Sequence, residues 1–151
     1  MTERARFVPD GFTPPLTLDH PSFRLRPLGP EHNESDYAAW TSSIDHIHGT
    51  PGFVADGWPR PMTLDENRGD LVRHAADFAA RTGFTYTVLA PDEDVVIGCV
   101  YIYPAADGAG TSVRSWVRAR DAHLDVPLYR AVTKWLARDW PFDHVSYDKR
   151  S

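Results

Sequence analysis

The chain of 151 residues contains a single cysteine, Cys99. That excludes an intrachain disulfide framework and any all-cysteine metal site. Its longest stretch without charge runs twelve residues, Val95 to Ala106, well short of the roughly 20 apolar residues a membrane helix needs. The first residues, MTERARFVPDGF, hold no apolar core like that of a secretion signal. The expectation is a soluble, cytoplasmic protein with no membrane contact. Lysine is scarce: Lys134 and Lys149 are the only two, and the rest of the 16 basic residues are arginine. A net charge of −5 argues against a nucleic-acid partner. Neither a serine nucleophile elbow nor a glycine-rich phosphate loop is present.

At 42% hydrophobic and 25% charged residues the balance is that of a globular protein, and the length suits one domain. The charge is divided along the chain. Residues 1–110 carry −8 and residues 111–151 carry +3.

Residues 1–22 read as an extended arm, because Pro9, Pro14, Pro15 and Pro21 forbid helix. Phe7, Val8, Phe12, Leu16 and Leu18 are too apolar for a free tail, so the arm is expected to lie on the domain or on a second subunit of a homodimer. Residues 23–151 form the domain. Phe23 to Leu28 alternates as a strand does. Ser35 is placed as the cap of a helix carrying Tyr37, Trp40, Ile44 and Ile47 on one face. Gly49 and Pro51 end it, and a loop reaches to Met62. Thr63 and Glu66 match a capping box. The helix they open is expected to turn Leu71, Val72, Ala75, Phe78 and Ala79 inward and to stop by Gly83. Strands follow at Phe84 to Leu89, Val95 to Tyr103 and Thr111 to Arg118. Gly98 inside the second of these suggests a bulge or a close backbone approach. Asp125 can cap a further helix burying Leu128, Ala131, Val132, Trp135 and Leu136. A short strand from His144 to Tyr147 closes the order β-α-α-β-β-β-α-β. The class is α+β, with a mixed, mostly antiparallel sheet flanked by helices.

Three segments carry a resemblance: FRLRPL in the first strand, FTYTVLAPDEDVVIGCVYIYP across two strands, and SVRSWVR before the last helix. In this order the chain resembles the GNAT superfamily of acyl-CoA-dependent N-acyltransferases, and most closely the branch acting on ribosomal-protein N-termini and aminoglycosides. The likeness spans about Phe23 to Tyr147. It implies acetyl-CoA as the acyl donor and a small-molecule or peptide amine as acceptor. The donor would lie along Trp116, Val117, Arg118, Arg120, His123, Leu124 and Asp125. The family's turn at this place is glycine-rich, so that backbone N–H groups reach a pyrophosphate. Here Arg118 to Val126 contains no glycine, and arginine and histidine supply the positive charge instead.

At about 100° per residue from Tyr37, His48 falls with the apolar face and His46 opposite to it. His48 could be a general base for an amine, or a histidine that merely stabilises a helix end. No carboxylate of suitable spacing joins the two histidines, so no metal site is expected. Trp58 in the loop, with Phe53, Asp56 and Arg60, is a binding wall or a lid on the core. Asp45 and Tyr103 complete the candidate acceptor site. Tyr129 and Tyr147 are candidate acids, or rim tyrosines with a hydrated hydroxyl. Arg114, Arg118 and Arg120 with Arg130, Lys134 and Arg138 could form an anion platform or a solvated face. Two functions stay open: an N-acyltransferase, or a non-catalytic domain of the same descent that binds or regulates through the cleft.

Overall fold

The computed structural model describes residues 6–54, 57–106, 108 and 110–150. Asp56 of the loop and Ala109 of the turn before the fifth strand lie outside them. One six-stranded sheet runs β1 (Leu18–His20), β2 (Phe23–Pro27), β3 (Phe84–Leu89), β4 (Val96–Pro104), β5 (Thr111–Val117) and β6 (Val145–Tyr147), in that spatial order. Neighbours are antiparallel except β5 and β6, which are parallel. The helices are α1 (Asn33–Thr41), α2 (Ile44–His48), α3 (Leu64–Ala80) and α4 (Asp125–Asp139). The fold is α+β with a mixed, mostly antiparallel sheet flanked by helices, as expected from the sequence.

Strand periodicity sorts the side chains onto two faces. One face packs Leu25, Tyr86, Val100, Ile102, Val113 and Val117 against Leu128, Val132, Trp135 and Leu136 of α4. The other packs Cys99 and Trp116 against Trp40 of α1, Ile47 of α2 and Leu71 of α3. The arm lies on its own domain. Val8 is buried, Phe7 stacks on Phe84 and Phe142, and Tyr86 donates its hydroxyl proton to the Pro15 carbonyl at 2.6 Å. Its last residues form β1 beside β2.

Several local expectations change. The first helix is two helices, broken at Ser42 and Ser43. Ser35 sits inside α1 and accepts from the Val96 N–H at 2.8 Å rather than capping. Thr63 and Glu66 do form the capping box, at 3.1 and 2.9 Å. Helix α3 ends at Ala80, with Arg81 left-handed at φ 64°. Gly83 matters for space instead, since a Cβ there would collide with the Tyr103 ring. Asp125 is not a cap either: it begins α4, and Arg150 binds its carboxylate. The register of β3 on β4 slips so that Ile97 is an extra residue, and a Cβ on Gly98 would collide with the Trp116 carbonyl.

Candidate active site

A cavity of about 460 Å³ opens on the α1–α3 face of the sheet. Its polar wall is one face of α3. Asn67, Asp70, Leu71, His74 and Asp77 recur at three- and four-residue steps and all line it. That stripe lies one residue away from the apolar face expected of this helix. Val72 is 44% exposed, Ala79 is exposed, and Asn67 is buried in their stead. Asp36 of α1, Arg73 of α3, Tyr101 and Tyr103 of β4, Arg114 of β5, Leu28, and Phe53 and Trp58 of the loop complete the lining. Trp58 rests on Trp40, Phe53 and Trp116, with ring centroids about 6 Å apart. It is thus both lid and wall.

Two hydrogen-bond networks hold the polar lining in place. In the first, Asn67 accepts from the Trp40 indole at 3.0 Å and donates to Asn33 at 2.9 Å and to Asp36 at 3.1 Å. Burial is the main cause that raises the Asp36 carboxyl to about 6, with Asp70 adding to the rise and the Asn67 bond opposing it. In the second, the Tyr103 hydroxyl donates to Asp77 at 2.8 Å, and His74 Nδ1 stands 2.8 Å from the same oxygen and 3.1 Å from the Thr85 hydroxyl. With the phenol proton on Asp77, a hydrogen on Nδ1 completes the contact with the phenol oxygen and leaves a lone pair on Nε2, whereas the other tautomer accepts at Nδ1 from the Thr85 hydroxyl. Burial, helped by the Arg73 charge, lowers the His74 pKa to about 4, against the pull of Asp70 and Asp77. The ring is therefore neutral at neutral pH. Burial also raises Tyr103 to about 12. The Arg114 guanidinium lies 4.8 Å from the Phe53 ring centre and 5.5 Å from that of Tyr101.

Of the residues singled out from the sequence, Phe53, Trp58, Tyr103 and Arg114 line the cavity, and Trp116 lies beneath it with its indole donating to Tyr101 at 2.9 Å. The others lie elsewhere. His48 is exposed, with Nε2 2.6 Å from the Pro59 carbonyl. A carbonyl can only accept, so Nε2 holds a proton there and fastens the loop. The split of the first helix removes the geometry that placed His48 inward. Asp45 is exposed on α2. Tyr147 bonds the Ser115 hydroxyl at 2.5 Å, and its ring centre is 4.8 Å from that of Tyr129. Ser115 alternates with Arg114 and Trp116, so both tyrosines belong to the opposite face of the sheet. The proposed basic platform is divided in the same way: Arg114 faces the cavity, while Arg130, Lys134 and Arg138 of α4 line a groove with His20 on the other side. Asp36, Asn67, Asp70, His74 and Asp77 escaped the sequence reading. The spacing along α3 was the available signal.

The end of β5 forms a second feature. Strand β6 stops at Tyr147 opposite Val113, so residues 114–117 have no strand partner on that flank among the described residues. The turn beyond, Ala119–Leu124, is 3-10. The Arg118 N–H is used by the Ile97 carbonyl at 2.9 Å, and the Ala119 N–H by the Ser43 hydroxyl at 2.8 Å. Arg118 pairs with Asp121, while Arg120 and His123 are exposed. Val117 is buried on the α4 face, and Leu124 caps α4 without a side-chain bond. The buried Arg150 lies along the open flank. It bonds Asp125 at 2.8 Å, the Ser115 carbonyl at 2.9 Å and the Pro51 carbonyl at 3.3 Å.

No family model matches the sequence, and no curated protein does. Solved structures do match. One is the ribosomal-protein-S5-alanine acetyltransferase from Vibrio fischeri, with TM-score 0.63 and 12% identity over 81% of this chain and 67% of that one. A second is an acetyl transferase from Salmonella typhimurium that modifies the N-terminal serine of the ribosomal subunit protein L7/L12, with TM-score 0.61 and 10% identity over 80% and 68%. A third is a ribosomal L7/L12 α-N-protein acetyltransferase in complex with coenzyme A, with TM-score 0.62 and 11% identity over 82% and 67%. The fold of this chain is the GNAT fold of these acetyltransferases.

Proposed function

We propose that the chain is an acyl-CoA-dependent N-acetyltransferase acting on a small amine or a peptide N-terminus. The observation that carries this reading is the cavity. It is lined by three acids, Asp36, Asp70 and Asp77, against two arginines, Arg73 and Arg114, walled by aromatic rings, and set on the sheet face next to the open flank of β5. An anionic, partly apolar cleft suits an amine with an apolar body. The fold supports the same reading, since its solved examples are acetyltransferases.

The acyl donor supplies the activated thioester. The backbone of residues 114–117 and the charges of Arg118 and Arg120 are what this chain offers it. The Arg150 side chain now takes the Ser115 carbonyl on that flank, so a donor that pairs with this carbonyl would have to displace it. The chain's own residues shape the acceptor side. Trp58 and Phe53 exclude water, Tyr103 and Asp77 orient His74, and Asn67 orients Asp36. Titration calorimetry with acetyl-CoA and with CoA tests the proposal. Micromolar binding together with acyl transfer to an amine is the expected result, and the absence of heat at high micromolar concentration removes it.

Arg150 also favours a second reading. If the Arg150–Asp125 pair and the glycine-free turn close the donor side permanently, the protein is a non-catalytic GNAT-fold domain that binds its ligand through the cavity. Calorimetry on Arg150→Ala separates the two. Acetyl-CoA binding gained by the variant keeps the enzyme reading, and none in either protein leaves the binding domain.

A further inference from the structure

The sheet face opposite the cavity carries a groove that neither reading of the cleft uses. It runs between strand β1 and the stretch of α4 from Pro127 to Arg138, with a volume of about 460 Å³. Arg130, Lys134 and Arg138 stand at four-residue steps along it, each about 6 Å from the next along the helix axis. Arg130 and Lys134 are exposed and have no ion pair or hydrogen bond among the described residues. The nearby acids are engaged: Arg26 holds Asp19 at 3.0 Å, and Arg138 holds Asp139 at 3.0 Å. The Ser22 N–H donates to His20 Nδ1 at 3.0 Å, so Nε2 carries the ring hydrogen and adds another donor to the lining. Half-buried Leu18, Pro127 and Ala131 give the groove apolar walls. Its free polar groups thus call for acceptors of negative charge.

Strand β1 supplies a second, independent feature. It pairs only with β2 among the described residues and so is an edge of the sheet. His20 and Phe23 close a two-residue turn, Pro21-Ser22, so that pair exchanges ladder bonds and the next pair, Asp19 with Arg24, does not. The Asp19 N–H and carbonyl therefore point outward along the free edge. Such an edge is a template for one more strand. We propose that the groove binds an extended acidic segment of a partner protein, which pairs with the edge of β1 and turns a carboxylate at every second residue toward Arg130, Lys134 and His20. In an extended strand, alternate side chains recur about every 6.8 Å on one face, close to the step between the cations. Leu18 and His20 already turn to that face, opposite Leu25 and Phe23 on the α4 side of the sheet. A nucleic acid would use the cations but has no peptide N–H row to offer β1. The segment is held across the sheet from the cavity, so it docks the partner and presents no acceptor amine. Acyl transfer is not needed for it.

The test uses the full chain and a fluorescein-labelled peptide, Glu-Thr-Glu-Thr-Glu-Thr-Glu-amide, read by fluorescence anisotropy. Wild type is expected to bind it, and to bind the same peptide with glutamine for glutamate roughly tenfold more weakly. The Arg130→Glu/Lys134→Glu variant changes only exposed side chains, and it is expected to lose on the order of tenfold in affinity while keeping its unfolding midpoint. Proline in place of the three threonines keeps every glutamate but removes N–H donors from the added strand, and binding is expected to vanish. The Asp19 amide is expected to gain protection from hydrogen exchange when the parent peptide is bound. No binding of the parent peptide, or equal binding by the charge-reversed variant, overturns the proposal. So does a proline peptide that binds as tightly as the parent, because the charges would then act without the strand. A single-stranded oligothymidylate of equal charge that binds as tightly as the peptide overturns the choice of partner. Self-association of the chain that the parent peptide reverses, seen by sedimentation, overturns it too, in favour of a second copy.

Discussion

Arg150 Nε donates to Asp125 Oδ2 at 2.8 Å and so ties the segment after β6 to the first turn of α4. The arginine is buried and spends its other donors on three backbone carbonyls, those of Asp148, Pro51 and Ser115. A cation this well satisfied braces the open flank of β5. Asp125 gains from it twice, because a carboxylate in the first turn also suits the helix dipole.

Removing the guanidinium leaves a mostly buried carboxylate alone. Arg150→Ala is expected to lose about 3 kcal/mol of unfolding free energy, read from urea denaturation. The Asp125→Asn/Arg150→Ala double variant is expected to lose less than the two single losses combined. Strict additivity contradicts a coupled pair.

The two shifted groups of the cavity make opposite contributions to stability against pH. Asp36, raised to about 6 from 3.8, binds more protons folded than unfolded across that window, so its contribution falls as pH rises. His74, lowered to about 4 from 6.5, binds fewer protons folded, so its contribution rises with pH. Asp36→Asn exposes the rising slope and His74→Gln the falling one, each at most about 1.4 kcal/mol per pH unit. Urea melts between about pH 4 and about pH 6 measure both. An Asp36→Asn protein that loses stability over this range contradicts the His74 assignment.

Gly83→Ala acts on the site through space alone. Its Cβ meets the Tyr103 ring, so the phenol must leave its place between His74 and Asp77. Loss of the Tyr103–His74 contact is expected in NMR, with unfolding free energy reduced by roughly 1–3 kcal/mol. Gly98→Ala is expected to cost a similar amount without touching that contact, because its Cβ strikes the Trp116 carbonyl of the neighbouring strand. A Gly83→Ala spectrum with the contact intact contradicts the packing.

Thr63→Ala removes half of the capping box of α3, an expected loss of about 1 kcal/mol in thermal or urea melts. No change at all would mean that this helix end is held by other contacts.

The fold was legible because its strands carry strong local signals. Phe84 to Leu89 and Thr111 to Val117 alternate or run apolar as sheet strands do, and the Thr63–Glu66 box marks a helix start within one residue. The site was less legible. Asp70, His74 and Asp77 sit on a helix whose neighbouring stripe, Leu71, Val72, Ala75 and Phe78, looks like the more natural interior. Only the tertiary pairing of Asn67 with Trp40 and Asp36 selects between the two stripes. The side of the sheet on which Tyr129 and Tyr147 stand was not legible for a related reason. Strand alternation puts Ser115 and its Tyr147 partner behind the sheet, and that follows from register, which the residues alone do not give.

The Asn67 amide also sets what may be changed in this molecule. Its oxygen and both of its hydrogens are committed to α1, so the screw position of α3 is fixed to one residue. Deleting a single residue just before Asn67 would turn the helix by about 100°. Arg68, Leu71, Val72, Ala75 and Phe78 would then meet the cavity. Such a deletion would leave a helix of nearly the same composition against the same sheet, yet the cleft would become greasy and cationic. Ligand polarity here is a property of phase along a helix, open to reversal by one codon.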